Sequence, residues 1–166
     1  MNFFQKGKIE KLISKSITDE YKGTQLEGYK YLHPKQKGKI GEIIAQDYME
    51  ANGWEVTKPK NAGHDRIIGN IKTEIKFSVA NPMIINHLSV GKDWERLFFI
   101  GVDSPKNIDN PTTFFLFKED FLDMIGEGHP AFKRQQGGNK LSNDDYIVPN
   151  VDLLLADKRL MDISQW

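Results

Sequence analysis

The chain has 166 residues and no cysteine, so it can bury one hydrophobic core but cannot form a disulfide framework or a cysteine-ligated zinc site. Its 23 basic and 23 acidic residues cancel, which argues against a protein that coats nucleic acid with its whole surface. No apolar run is long enough to cross a bilayer and the N-terminus lacks a signal-peptide core, so we expect no membrane partner and a cytoplasmic location.

Charge is unevenly distributed along the sequence. Residues 1–40 contain nine lysines against four acidic residues, whereas residues 141–166 contain five aspartates against one lysine and one arginine. The basic end is the better candidate for contact with phosphate, particularly the cluster Lys35, Lys37 and Lys39. A solvated helix face is the commoner explanation for such a run.

Two helices are predicted before the first strand. Apolar residues at helical spacing between 3 and 17 predict an amphipathic helix, so residues 1–33 are expected to be a helical arm attached to a main domain of residues 34–166. A second helix is predicted to begin near Gln36 and to end at Gly53, because glycine suits a helix C-terminus.

A short strand and a hairpin are predicted next. Trp54–Thr57 is the short strand, and the hairpin strands span about 65–68 and 71–77. The dipeptide Gly69-Asn70 between them suits a two-residue turn of the primed type, which would pair the residues on either side of it.

The centre of the chain predicts one more helix and two more strands. Asn81-Pro82 indicates a helix start, with asparagine as the cap and proline in the first turn, followed by the apolar stretch Met83–Leu88. Leu97–Val102 is a continuous apolar run, typical of a strand buried on both faces. Residues 113–117 predict another strand.

The last part of the chain is less regular. Residues 121–125 predict a short helix, and residues 126–150 are expected to be a long loop because they are rich in Gly, Asn, Gln and Pro. Residues 151–156 fit a strand or a helix equally well. The order of all these elements indicates an α/β fold in a single domain, with a sheet of mixed direction and helices on both faces.

The predicted hairpin brings two acidic side chains together. A primed turn at its tip would place Asp65 directly opposite Glu74, with Cβ atoms about 4.5–5.5 Å apart. Like charges so placed destabilise a sheet unless a cation lies between them. Lys76 lies two residues beyond Glu74 and therefore points to the same face. Charged residues on the solvent face of a half-buried strand are the competing interpretation.

These residues predict a magnesium site. Mg²⁺ prefers oxygen ligands and is usually held by one or two carboxylates with water and substrate phosphate. Asp65, Glu74 and the backbone carbonyl of Ile75 are the predicted ligands, Mn²⁺ can substitute, and the expected chemistry is phosphodiester hydrolysis. Lys76 would orient or deprotonate the attacking water or neutralise the phosphate. Glu42, on the second helix, fits an outer or second-metal role about as well as it fits an ordinary solvated glutamate.

A series of motifs in chain order resembles the PD-(D/E)XK nuclease superfamily: Lys37-Gly38-Lys39-Ile40-Gly41-Glu42, Asn52-Gly53-Trp54, Asp65, and Glu74-Ile75-Lys76. The resemblance covers roughly residues 36–102. It implies a restriction-endonuclease-like mixed sheet flanked by helices and Mg²⁺-dependent hydrolysis of DNA. It would make Asp65, Glu74 and Lys76 catalytic, with Glu42 as the helix carboxylate. His64 stands where the family has proline before the aspartate.

Two branches of the superfamily fit the motif order. Small type II restriction endonucleases are similar in size, and archaeal-type Holliday junction resolvases share the order but are strongly basic. The neutral charge and the loop-rich region after residue 103 favour a sequence-specific restriction endonuclease of bacterial or phage origin. It would bind double-stranded DNA as a homodimer, because one site per chain cuts one strand. A structure-specific repair or recombination nuclease and a non-catalytic DNA-binding module are the alternatives.

Residues with suitable side chains are candidates for DNA contact. Arg and Lys bond guanine, and Gln and Asn bond adenine, in the major groove. The candidates for base contact are Lys133, Arg134, Gln135, Gln136, Asn139 and Lys140. The candidates for phosphate contact near the catalytic strand are His64, Ser78, Asn81 and His87. For any one of these residues a surface or structural role is the commoner explanation.

Overall fold

The computed structural model describes residues 18–61, 63–134 and 145–161. The predicted N-terminal helix at 3–17 lies outside these ranges, and so do four candidate base-contacting residues, Gln135, Gln136, Asn139 and Lys140. The chain divides into two compact units, Met1–Leu32 and His33–Trp166. The described part of the first unit consists of turns and a 3₁₀ helix at Tyr29–Tyr31. The second unit contains the sheets and the candidate site.

Helix α1, Pro34–Ala51, opens the second unit. A capping box starts the helix: the His33 imidazole accepts from the Lys35 N–H, and the His33 N–H donates to the Gln36 side chain. The helix stops before Gly53, whose φ of 83° is the left-handed conformation that glycine adopts without steric cost. The predicted end of this helix is therefore confirmed.

Eight strands follow, β1 to β8 in chain order: Val56–Thr57, Arg66–Ile68, Ile71–Val79, Met83–Ile85, Arg96–Val102, Thr112–Phe117, Lys133–Arg134 and Tyr146–Val148. Five of them form a mixed sheet in the order β1-β2-β3-β5-β6. β3 and β5 run parallel, and the other neighbours are antiparallel. Two further helices, α2 and α3, span Lys118–Gly126 and Val151–Leu155. The second unit is therefore a mixed α/β fold.

The alternation of side chains along the strands builds a hydrophobic core on each face of this sheet. On one face, apolar residues of α1 and of the sheet pack together: Ala45 and Met49 from the helix, with Ile68, Ile75, Phe98, Ile100 and Phe115 from the strands. On the other face, the strand residues Leu97, Phe99, Phe114 and Leu116 belong to a core with Phe121 and Met124 of α2 and with Met83 and Val148 of the second sheet. β5 is buried along its whole length, as its continuous apolar run predicts.

The second sheet has the order β4-β8-β7, and it corrects two predictions. Met83–Ile85 is a strand and not the start of a helix, because buried Met83 and Ile85 alternate with half-buried Ile84 at the period of a strand. The region 126–150 is not only a loop, since β7 and β8 lie within it. Each has only two or three residues, which is too short for a recognisable strand pattern.

The hairpin of β2 and β3 has the predicted register. Ile68 pairs with Ile71, and Gly69 and Asn70 have φ values of 55° and 67°, both positive as a type I′ turn requires. The paired ladder ends at Arg66, whereas β3 continues to Val79. The first residue beyond the ladder is Asp65. Within the described ranges, no helix combines the length and the apolarity needed to cross a membrane.

Candidate active site

The candidate site lies where β2 ends and β3 continues. The backbone N–H of Asp65 donates to the Thr73 carbonyl at 3.1 Å, and its carboxylate oxygen Oδ2 accepts from the backbone N–H of Ile75 at 2.7 Å. The carboxylate thus takes the place of β2 as the hydrogen-bonding partner of β3. Because the N–H and C=O of one strand residue point to the same edge, the Ile75 carbonyl is directed to this edge as well.

Glu74 and Lys76 lie on either side of Ile75 in β3, with their side chains on the face of the sheet opposite α1. In the parallel ladder they are level with Leu97 and Phe99, which belong to the core under α2. The Glu74 side chain is 3% exposed, and its Oε1 lies 2.8 Å from Nζ of Lys76. The side chains therefore lie together, as the alternation along the strand predicts. Pairing with the ammonium offsets part of the desolvation cost of the buried carboxylate.

Asp65 is electrostatically coupled to these neighbours. Burial, and then the charge of Glu74, raises the pKa of the Asp65 carboxyl above its usual value of 3.8. The hydrogen bond from Ile75 and the charge of Lys76 act in the opposite direction, and the charge of Glu42 adds a smaller increase. The anionic form of Asp65 is therefore less favoured in the folded chain than in the unfolded chain, and a cation close to both carboxylates would favour it.

Glu42 projects from α1 and is bound to a buried arginine. Its Oε2 lies 3.0 Å from Nη2 of Arg66 and 3.3 Å from Nζ of Lys39. Arg66 also donates from Nη1 to the backbone carbonyl of Asp65 at 2.6 Å and from Nε to Gln46 at 3.4 Å. Arg66 was not among the predicted site residues; the available signal was its position directly after Asp65.

Three acidic or histidine side chains do not come together as a metal-binding group anywhere in the described parts of the chain. Glu42 therefore does not form a three-carboxylate group with Asp65 and Glu74. The oxygen donors available near this edge of β3 are the Ile75 carbonyl and the carboxylates of Asp65 and Glu74, whose charges interact.

Three of the predicted phosphate contacts lie in different surroundings. The His64 Nδ1 lies 3.1 Å from the carbonyl of Asp93. Ser78 is buried, and its Oγ accepts from the N–H of Ile84 at 2.9 Å, so it joins β3 to the β4 segment instead of facing solvent. Asn81 is exposed in the turn before β4. Among these three, only Asn81 is at the surface with its side chain exposed.

His87 is held differently. Its backbone N–H donates to Oδ1 of Asp145 at 2.7 Å, and its carbonyl accepts from Nζ of Lys76 at 3.2 Å. Its φ of 54° is uncommon for a residue with a side chain, and the imidazole is 87% exposed. The structure therefore joins His87 to the candidate catalytic lysine and presents its ring to solvent.

The predicted basic contacts fall into two groups. Lys35, Lys37 and Lys39 lie in the first turns of α1, with Lys35 and Lys39 exposed. Lys133 and Arg134 are exposed on β7. The latter pair borders an open cavity of about 430 Å³, whose other lining residues are Met124, Ile125, Gly128, His129, Phe132 and Tyr146.

A further charged network was not predicted. Arg159 binds both oxygens of Asp157, at 2.9 Å from Nε and 2.7 Å from Nη2, and lies 2.6 Å from Glu127. His129 Nε2 lies 3.1 Å from the same aspartate. These contacts join the end of α2 to the turn after α3. The sequence contains no spacing that indicates this network.

Neither the protein-family models nor the curated proteins compared with this chain match it.

Proposed function

We propose that this chain is a Mg²⁺-dependent deoxyribonuclease of the PD-(D/E)XK type that cuts double-stranded DNA as a type II restriction endonuclease. The observation that carries the proposal is the grouping of Asp65, Glu74 and Lys76 at the edge where β2 stops. A five-stranded mixed sheet with helices on both faces is compatible with the restriction-endonuclease-like fold.

The donor atoms fit a hard divalent cation. Two carboxylates and a backbone carbonyl are oxygen ligands of the kind that Mg²⁺ and Mn²⁺ prefer. Burial, and then the charge of Glu74, raises the pKa of Asp65, and a cation bound beside the carboxylate would offset both effects. Asp65, Glu74 and the Ile75 carbonyl would hold it, and when bound it would supply Lewis-acid activation of the phosphate and of water.

Lys76 supplies the positive charge of the protein itself. The ion pair with Glu74 and the hydrogen bond to the His87 carbonyl hold its ammonium on the face that carries the carboxylates. From there it would stabilise the negative charge that develops on the phosphate as water attacks and the phosphodiester bond breaks. It would also orient that water. The exposed His87 ring borders this face and is a candidate contact for the DNA backbone.

Recognition of DNA would come from basic residues outside the catalytic group. Lys133 and Arg134 are exposed on β7, and Lys35 and Lys39 are exposed on α1. The enzyme would act as a homodimer, since a single site per chain cuts a single strand and a palindromic cut needs two-fold symmetry.

The direct experiment is incubation with plasmid DNA and Mg²⁺. We expect discrete fragments from the wild type and a loss of cleavage of about 100-fold or more in each of two variants. Asp65→Asn removes the charge of a proposed metal ligand, and Lys76→Met removes the positive charge that would stabilise the reacting phosphate. Asp65→Asn keeps the size of the side chain and an oxygen for the Ile75 N–H. Lys72→Met is the matched control, since Lys72 lies on the same strand but pairs with Asp93.

Other outcomes would identify the alternatives. Branched DNA cut in preference to linear duplex, without a sequence pattern, would identify a structure-specific nuclease. Binding without cleavage in either Mg²⁺ or Mn²⁺ would identify a non-catalytic DNA-binding module. Equal cleavage by wild type and Asp65→Asn would contradict the proposed site.

A further inference from the structure

Arg66 is a buried cation beside the candidate metal site. Its side chain is 6% exposed, and its guanidinium contacts Asp65, Glu42 and Gln46 through three different nitrogens. A guanidinium is planar and presents its donors in a rigid fork, so three simultaneous contacts define its position closely. A buried charge held in this way is costly to leave unpaired.

Asp65 depends on such contacts because it lies beyond the paired ladder of β2 and β3. Its N–H is bonded to Thr73, its carboxylate to Ile75, and its backbone carbonyl to Arg66. The bond from Arg66 fixes the peptide that carries the aspartate. Groups that orient a metal ligand are normally important for the affinity of the site, although they do not touch the metal.

Glu42 is oriented towards this arginine. Its Oε2 accepts from both Arg66 and Lys39, and α1 packs on the face of the sheet opposite Glu74 and Lys76. Glu42 also does not complete a three-carboxylate group with the two predicted ligands. Apart from the small direct effect of its charge on Asp65, its connection to the site runs through the contacts of the guanidinium with Glu42 and with the Asp65 carbonyl.

We propose that Arg66 is a positioning residue for Asp65, and that Glu42 acts on the metal site through Arg66 and not as a ligand. The inference rests on the proposed function. A positioning role and a purely electrostatic role for Arg66 predict opposite changes in metal affinity when its charge is removed. Removal of the positive charge of Arg66 would by itself strengthen binding of a cation, whereas loss of the positioning contact weakens it.

The test is Mn²⁺ binding to the DNA-free protein, measured by isothermal titration calorimetry. We expect Glu42→Gln and Arg66→Gln each to weaken Mn²⁺ affinity about 10-fold or more. The double variant should lose no more Mn²⁺ affinity than the weaker-binding single variant, because both substitutions disrupt the same set of contacts from Glu42 through Arg66 to Asp65. Lys39→Gln, which removes only the exposed partner of Glu42, should bind as the wild type does. Circular dichroism melting curves check that each variant is folded.

Gln46→Ala keeps the test valid if Arg66→Gln does not fold. It removes only the Nε partner of the guanidinium, so we expect a several-fold loss of affinity that does not add to that of Glu42→Gln. A Glu42 that binds the metal itself predicts no effect of Gln46→Ala.

Three results would overturn the inference. Additive losses in the double variant would make Glu42 a ligand, and tighter Mn²⁺ binding by folded Arg66→Gln would leave Arg66 only an electrostatic role. Unchanged Mn²⁺ affinity in both Glu42→Gln and Arg66→Gln would show that the contacts of Arg66 support the fold but not the metal site. A folded wild type that binds no Mn²⁺ would reject the proposed function itself and the inference with it, and this outcome is distinct from the other three.

Discussion

Arg159 binds two carboxylates at once, and one of them also meets His129. The hydrogen bonds from Arg159 are the main reason that the pKa of Asp157 is lowered from its usual value of 3.8. Because the folded chain prefers the anionic form, this aspartate contributes stability above pH 3.8. The contribution is lost as the pH falls through the lower pKa of the folded state.

Asp157→Asn should therefore lower the urea midpoint at pH 7. The difference in unfolding free energy from the wild type should narrow as the pH is taken below 3.8, since the carboxyl of the unfolded wild-type chain then binds protons while that of the folded chain is still ionised. Urea unfolding followed by fluorescence between pH 7 and pH 3 measures it. Asp109→Asn, at an exposed position in the β5–β6 connection, is the control and should show little change. A difference that is constant with pH would contradict the assignment.

The sequence predicts the positions of single residues where these depend on near neighbours in the chain. Asp65, Glu74 and Lys76 were predicted to lie together because a two-residue turn determines register and strand alternation determines the face. Arg66 was missed because its role depends on contact with Glu42, 24 residues earlier in the chain, through the packing of α1 on the sheet. Local pattern contains no information about such packing.

The packing of α1 on β3 is unusually close at one point. A Cβ atom on Gly41 would lie 2.5 Å from Cβ of Phe77, which is nearer than real side chains approach. Glycine therefore lets the helix backbone lie against the strand that carries Glu74 and Lys76. The same motif contains Gly38, where an added Cβ meets nothing within 4 Å.

These two glycines form a matched pair. Gly41→Ala should destabilise the fold by about 1–3 kcal/mol through overpacking, less a gain of up to about 1 kcal/mol in helix propensity. Gly38→Ala changes only the helix propensity, so it should raise the free energy of unfolding by about 0.5–1 kcal/mol. Chemical denaturation measures both changes in unfolding free energy, provided that the variants and the wild type have equal m values. Equal stability of the two variants would show that α1 does not approach β3 so closely.

Elements were predictable when their pattern was long. Helix α1 and the buried strand β5 have long apolar patterns, and α1 has a clear end signal at Gly53, so both appear where expected. β4 was mistaken for a helix because Asn81-Pro82 is a strong local signal for a helix start. The pairing of Met83 with Val148 overrides that signal, and it joins segments too far apart for any local pattern to indicate.

At the scale of the molecule, the second sheet presents a basic edge. Lys133 and Arg134 are exposed on β7, which pairs with β8, and β8 in turn pairs with β4. The sequence indicated that these two basic residues are candidate DNA contacts, but it did not predict the second sheet. The strands of that sheet are short and far apart in the chain. The mixed α/β class followed from the order of the longer elements.

Replacement of Lys133 and Arg134 by Gln should weaken binding to linear duplex DNA and make it less sensitive to salt. The slope of log K against log salt is negative, and each lost phosphate contact should reduce its magnitude by about 0.9. Fluorescence anisotropy over a range of NaCl concentrations, without divalent cations, gives this slope. Lys106→Gln, exposed in the connection between β5 and β6, is the control. An unchanged slope would exclude this edge from phosphate contact.

The hydrogen bonds of His87 have a consequence for the order in which the catalytic face is completed during synthesis. Lys76 holds the His87 carbonyl from 11 positions upstream, while Asp145 holds its N–H from 58 positions downstream. A ribosome makes Asp65, Glu74 and Lys76 long before it reaches Asp145. A nascent chain therefore contains the two acidic residues and the lysine early, but it lacks the hydrogen bond from His87 to Asp145 until residue 145 has been translated.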